Sequence, residues 1–146
     1  MGDLGKAHEI NREAVAEMLR AIDSLGQKWS EPWAPGKWTR AQVVEHVARS
    51  YEIVAGVVRG DQSGMPRFPR LLRWLARLYF NKVLRDRKFP KTRTTRAFVP
   101  ERDLATPAEG RSRLEAAVAA FEAVAGPEAG ERRILHPTWG EISLAN

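Results

Sequence analysis

Histidine is the scarce chemical resource of this chain, which carries three: His8, His46 and His136. His46 stands in the run Pro35-Gly36-Lys37-Trp38-Thr39-Arg40-Ala41-Gln42-Val43-Val44-Glu45-His46-Val47, a tryptophan-bearing turn followed by a helix start. Its imidazole comes about one and a half turns into an otherwise apolar helix. A histidine so placed is either a core residue with a satisfied hydrogen bond or the first ligand of a metal. Taken alone, the pattern favours the core residue. A zinc site takes about three protein ligands, and the chain has neither His-x-x-x-His nor His-Glu-x-x-His. Absence of cysteine removes thiolate ligands and a cysteine nucleophile. Glu45 and Glu52 are near in sequence, but both fall on the polar arc of the helix. His8 sits on an exposed-looking helical face and reads as solvated. No serine has a Gly-x-Ser-x-Gly setting, and Gly60-Asp61-Gln62-Ser63-Gly64 is a flexible turn rather than a nucleotide loop.

Charge is the second resource. The net charge is +6, yet Arg67 to Arg96 holds eleven Lys or Arg against the single acid Asp86, so this segment carries +10 and the remainder −4. Arg70, Arg73 and Arg77 lie three and four residues apart and form a basic ridge, a candidate surface for an anion or an anionic partner. Trp74, Tyr79, Phe80 and Phe89 interleave with these charges, as in a nucleic-acid platform or a membrane-surface helix. The spacing of Trp74 and Tyr79 fits a buried stripe better. Nucleic acid and an anionic membrane are therefore the less favoured partners, and a solvated basic surface is the simplest reading of the ridge.

These residues are positioned by helices. Residues 4–25 are amphipathic, with Asp3 as an N-cap and Ile10, Ala14, Met18, Ile22 and Leu25 as the stripe. Gly26 suits the helix end. Trp29, Trp33 and Trp38, with Pro32 and Pro35, fold the following loop over the end of a bundle. The second helix, 40–59, opens on a capping box of Thr39 and Gln42. Its apolar arc, His46 included, spans roughly 220°, which suits the middle of a bundle. The third helix, 70–87, buries Leu71, Leu72, Leu75, Leu78, Tyr79 and Val83, and a basic, extended connection follows from Phe89 to Pro100. The fourth, 107–125, starts with Thr106 as N-cap, Pro107 at N1 and Glu109 at N3; it buries Leu114, Val118 and Phe121 and ends at Gly126-Pro127. Residues 128–146 read as a turn leading into a last helix, capped by Ser143 and truncated at Asn146. No segment alternates apolar and polar residues as a sheet requires. The expected architecture is an all-α bundle forming one domain over 1–146. The lack of cysteine, of a signal peptide and of a membrane-length apolar run fits the cytoplasm.

Trp33-x-Pro35-Gly36-Lys37-Trp38-Thr39-x-Ala41-Gln42-Val43-Val44-Glu45-His46-Val47 resembles the signature of the DinB/YfiT-like superfamily of helical-bundle metalloenzymes. Two further runs are similar to an uncharacterised DinB-like branch. One is Arg85-Asp86-Arg87-Lys88-Phe89-Pro90-Lys91, like its basic connection. The other is His136-Pro137-Thr138-Trp139-Gly140-Glu141-Ile142-Ser143, like its lead into the last helix. Order and approximate spacing agree over residues 4–146. The resemblance implies a four-helix bundle with a divalent metal, often zinc or nickel, held by three histidines. His46 matches the first of them. The other two belong to the last helix, beyond Asn146, and His136 matches a turn histidine that is not a ligand. Some relatives transfer low-molecular-weight thiols to electrophiles, and others are isomerases.

Two functions stand against each other. One is a metal-dependent thiol-transferase-type enzyme acting on a small molecule, with His46 as metal ligand and Trp38 and His136 against the substrate. The other is a non-catalytic binding protein that uses the basic segment 67–96 for its partner. A bundle without its last helix would also expose an apolar groove, expected to be covered by a second copy in a homodimer or by a partner's helix.

Overall fold

A computed structural model of the protein describes residues 4–61, 69, 72–86, 94–126, 129–130, 133–136 and 140–143; the side chains of residues 73, 76, 77, 80, 84, 135, 136 and 140–142 lie outside the description. In chain order it comprises α1 (Leu4–Ser24), a 3₁₀ turn (Gly26–Ser30), α2 (Arg40–Arg59), α3 (Arg73–Asp86), a second 3₁₀ turn (Arg96–Phe98) and α4 (Pro107–Ala125). Two short strands follow, β1 (Arg133–His136) and β2 (Gly140–Ser143). The fold is an all-α helical bundle with a small appended hairpin. No helix among the described residues is long and apolar enough to cross a membrane.

The closest packing is between α2 and α4, and small residues explain it. Ala41, Ala48 and Ala55 repeat every seven residues along α2, and all three are buried. On α4, Gly110, Leu114, Ala117 and Val118 are buried in turn, and Ala41, Ala48, Leu114, Ala117 and Val118 belong to one core cluster. Small side chains let the two backbones approach, and that leaves room for large groups at the ends. Ile22 of α1 and Trp29 of the first 3₁₀ turn complete the core. Trp29 is 2% exposed, and its indole N–H donates to the Leu104 carbonyl at 2.6 Å.

The outer edge of the Trp29 ring lies against α4 at Gly110. A Cβ there would come within 2.6 Å of Cζ2 of the indole, and the ring cannot withdraw without giving up Leu104. Gly110→Ala should therefore destabilise the protein by about 1–3 kcal/mol through overpacking, although alanine is the better helix former. Urea denaturation followed by Trp fluorescence checks this.

Both helix starts have side-chain caps. Thr39 Oγ1 accepts from the Gln42 amide at 3.1 Å, and Gln42 Oε1 accepts from the Thr39 amide at 2.9 Å. Thr106 Oγ1 accepts from the Glu109 amide at 3.2 Å. Here the return bond differs from a capping box, because Glu109 Oε2 takes the amide of Ala105 at 2.8 Å. Asp3, read as the cap of α1, lies outside the described residues.

Three expectations are corrected. First, the buried stripe of α1 is Leu4, His8, Asn11, Val15, Met18, Ile22 and Leu25, while Ile10 and Ala14 are exposed. Two polar residues on the inward face had hidden its phase. Second, the face of α3 is not buried: Trp74, Leu75, Leu78 and Tyr79, like Leu72 just before the helix, are each about half exposed, and Val83 alone of the expected stripe is buried among the described residues, outside which Leu71 lies. No other described element packs extensively on α3. Third, Ser143 does not cap a last helix. It ends β2 and pairs antiparallel with Arg133, with Ile134 opposite Ile142 and His136 opposite Gly140. Two four-residue strands gain their hydrogen bonds only from each other, so neither segment announces itself alone.

Candidate functional site

His46 is held in a corner built from both sides of α2. On one side the chain from Trp33 to Trp38 folds back on itself, with the Trp33 amide donating to the Trp38 carbonyl at 3.3 Å. Gly36 supplies the turn at φ 69°, a left-handed conformation that favours glycine. The Thr39 cap then fixes where Trp38 ends and the helix begins. The Trp38 ring consequently lies 5.1 Å from the His46 imidazole, tilted by 51°.

On the other side stands the 3₁₀ turn Arg96–Phe98. The guanidinium of Arg49, one turn beyond His46, donates to the Ala97 carbonyl and to Glu101 Oε1, the latter at 2.8 Å. This bond holds the Glu101 carboxyl below its ordinary pKa. It also docks the turn so that the Phe98 carbonyl faces His46 Nδ1 at 2.7 Å. A carbonyl oxygen can only accept, so Nδ1 must carry the proton. The lone pair of the neutral ring then resides on Nε2. The Phe98 ring completes the corner, edge-on at 6.5 Å. His46 is half-buried here, and Ser50 Oγ donates to its backbone carbonyl at 2.8 Å.

The satisfied hydrogen bond and the ligand role are thus compatible. An imidazole whose Nδ1–H is committed to a backbone carbonyl is oriented to offer Nε2, the usual arrangement for histidine as base or ligand. Companions for a metal are a different matter. Among the described residues, no group of three His, Cys, Asp or Glu could hold an ion. The carboxylates nearest in sequence are otherwise engaged. Glu45 and Glu52 were expected on a solvated arc, but Glu45 is 1% exposed and both face Arg113 of α4. Arg113 Nε donates to Glu45 Oε2 at 2.9 Å, while Nη1 and Nη2 hold the two Glu52 oxygens at 2.6 and 2.7 Å. The Arg113 bonds outweigh burial and lower the Glu52 pKa. This triad locks the register of α2 on α4. The described residues do not make a divalent-metal centre.

The other residues expected at a site are dispersed. His8 is buried, not solvated, and lines a cleft against the C-terminal ends of α2 and α4. The backbone of His136 lies in β1, which packs against α2; its side chain lies outside the described residues, as do Arg70 and the side chains of Arg73 and Arg77. Trp38 is brought to His46. Phe98 and Arg113 were not singled out in the sequence. A signal for Arg113 existed: a lone arginine among Leu114, Ala117 and Val118 on a buried stripe demands carboxylate partners.

A family model described as the mycothiol maleylpyruvate isomerase N-terminal domain matches residues 10–139. That span contains Trp38, His46, Phe98 and the Glu45–Arg113–Glu52 triad. No curated protein and no solved structure matches the chain.

Proposed function

The chain belongs to the mycothiol maleylpyruvate isomerase N-terminal domain family, within the DinB-like superfamily, and on that premise we propose that it acts in thiol-linked chemistry on a small electrophilic molecule, with His46 as its functional imidazole. One observation carries the proposal: His46 Nδ1–H is committed to the Phe98 carbonyl at 2.7 Å, which leaves the lone pair on Nε2. In that role Nε2 takes the proton of a thiol, and the thiolate so formed adds to an electron-poor C=C bond of the second substrate, whose π pair passes to the neighbouring carbon and there takes the proton back from the imidazolium. The Trp38 ring forms a wall of the site and excludes water from one face of the imidazole. Divalent metal is common in the superfamily. A zinc or nickel ion at His46 would need its other ligands from outside the described residues. The reading places the protein in the cytoplasm, where a thiol co-substrate stays reduced.

Assay with mycothiol tests this. The protein should catalyse either mycothiol-dependent isomerisation of maleylpyruvate or mycothiol conjugation of an electrophilic fluorogenic reagent, and His46→Ala should lose that activity.

A second reading has one observation in its favour, the half-exposed face of α3. Trp74, Leu75, Leu78 and Tyr79 share that helix with exposed Lys82 and Arg85, a combination suited to an anionic surface or to a partner's helix. Absence of both mycothiol activities, together with salt-sensitive retention on vesicles containing phosphatidylserine, would move the function to this binding role.

A further inference from the structure

A cleft of about 280 Å³ opens where the first turns of α1 meet the C-terminal ends of α2 and α4. Leu4, Val54, Val58, Phe121 and Ala125 wall it with apolar surface. An apolar cavity of about 150 Å³ already accommodates benzene, so this one has room for a single ring with a short substituent. Two polar side chains, His8 and Asn11, interrupt the apolar lining. His8 is 7% exposed. Asn11 uses Oδ1 to accept from the Tyr51 hydroxyl at 2.6 Å, while its Nδ2 is buried without an acceptor.

Leaving the Asn11 amide nitrogen unpaired costs stability, and a helix packed for stability alone would put leucine or valine at both positions. Instead, α1 turns an imidazole and an amide inward, one turn apart, beside an apolar volume. The two groups share one need. An imidazole N–H and an amide N–H are both donors, and a carbonyl oxygen can accept from either. No acidic side chain lines the cleft among the described residues, so nothing there recruits a cation. The Phe121 ring, edge-on to Tyr51 at 5.5 Å, offers an aromatic wall to a planar guest.

We infer that this cleft is a binding site for a small, mainly apolar molecule bearing one carbonyl acceptor, whose oxygen is received by an N–H of the His8 imidazole, with the unpartnered Nδ2 of Asn11 as the second donor. His46 does not line the cleft, so the inference stands apart from the thiol chemistry proposed for that residue.

Acetophenone and cumene test it, being alike in shape but differing in the carbonyl. Each is titrated into the full chain and followed by two-dimensional NMR, with shifts expected at His8, Asn11 and Phe121. In His8→Leu, the ratio of acetophenone to cumene affinity should fall about tenfold, the worth of one buried hydrogen bond. Ala7→Phe, at an exposed position on the cleft's rim, should block both probes while the protein stays folded. Failure of both probes to bind the wild-type protein would overturn the inference. So would an unchanged ratio in His8→Leu, or undiminished binding in Ala7→Phe.

Discussion

Arg113→Met is expected to destabilise the protein by about 3–5 kcal/mol at neutral pH, the cost of stranding a buried charge. Glu45 is 1% exposed, and the Arg113 guanidinium, itself 9% exposed, is the partner that meets it. Removal of the arginine leaves that carboxylate in an apolar seam between α2 and α4, where water cannot replace the lost bonds. Substituting both members, as Glu45→Met with Arg113→Met, removes the stranded charge along with its partner. Most of the loss should then be recovered, since apolar replacements for buried ion pairs are often neutral or better. Glu52 adds a dependence on pH. Its folded pKa is depressed chiefly by hydrogen bonds from Arg113. The stability it contributes is therefore fully present above the ordinary glutamate range and is lost as pH falls through the lowered folded value. Arg113→Met has no such contribution to lose, so the gap to wild type should narrow in acid. Urea denaturation of the three proteins at pH 7 and pH 3 reads both effects. A double variant no better than Arg113→Met would show that the triad is not the source of the loss.

The largest expected effect on activity belongs to His46→Ala. A positioned general base contributes about 10²–10⁴ in rate, so mycothiol-dependent turnover should fall at least about a hundredfold, with the loss in kcat rather than in KM. Stability should fall far less. The side chain is half-buried and gives up one hydrogen bond to Phe98, worth about 1 kcal/mol. Thermal unfolding of the same samples separates the two effects. A variant that keeps its turnover would remove His46 from the chemistry, and one that simply unfolds would make it a core residue.

Much of the framework was legible because it depends on neighbours in the chain. Thr39 with Gln42, and Thr106 with Pro107, mark helix starts through bonds spanning three residues, and the structure contains both starts. Likewise, the identity of His46 as the imidazole on the semi-buried flank of α2 follows from its position on a helical wheel. What stayed hidden depends on partners far away in sequence. Glu45 and Glu52 read as part of a polar arc because nothing near them reveals Arg113, more than sixty positions on, and only Glu45 is buried by it. His8 and Asn11 sit among apolar residues at helical spacing, yet their polarity shifted the apparent stripe of α1 onto Ile10 and Ala14. Phe98 contributes to the His46 corner through its backbone oxygen, a group that every residue possesses and that no motif records. On α3 the error ran the other way. Apolar residues at helical spacing imply burial only if something is there to bury them, and Leu75 and Leu78 remain about half exposed.

In the proposed chemistry His46 meets its substrate through Nε2 because Nδ1–H is committed to the Phe98 carbonyl. Long-range ¹H–¹⁵N correlation spectroscopy of the imidazole at about pH 8.5, where an ordinary histidine ring is neutral, observes this directly. The expected spectrum has a protonated, pyrrole-like Nδ1 and a bare, pyridine-like Nε2. A ring protonated on Nε2 with Nδ1 bare would contradict it, since the Phe98 carbonyl could not then be the partner and Nε2 would carry no lone pair to offer.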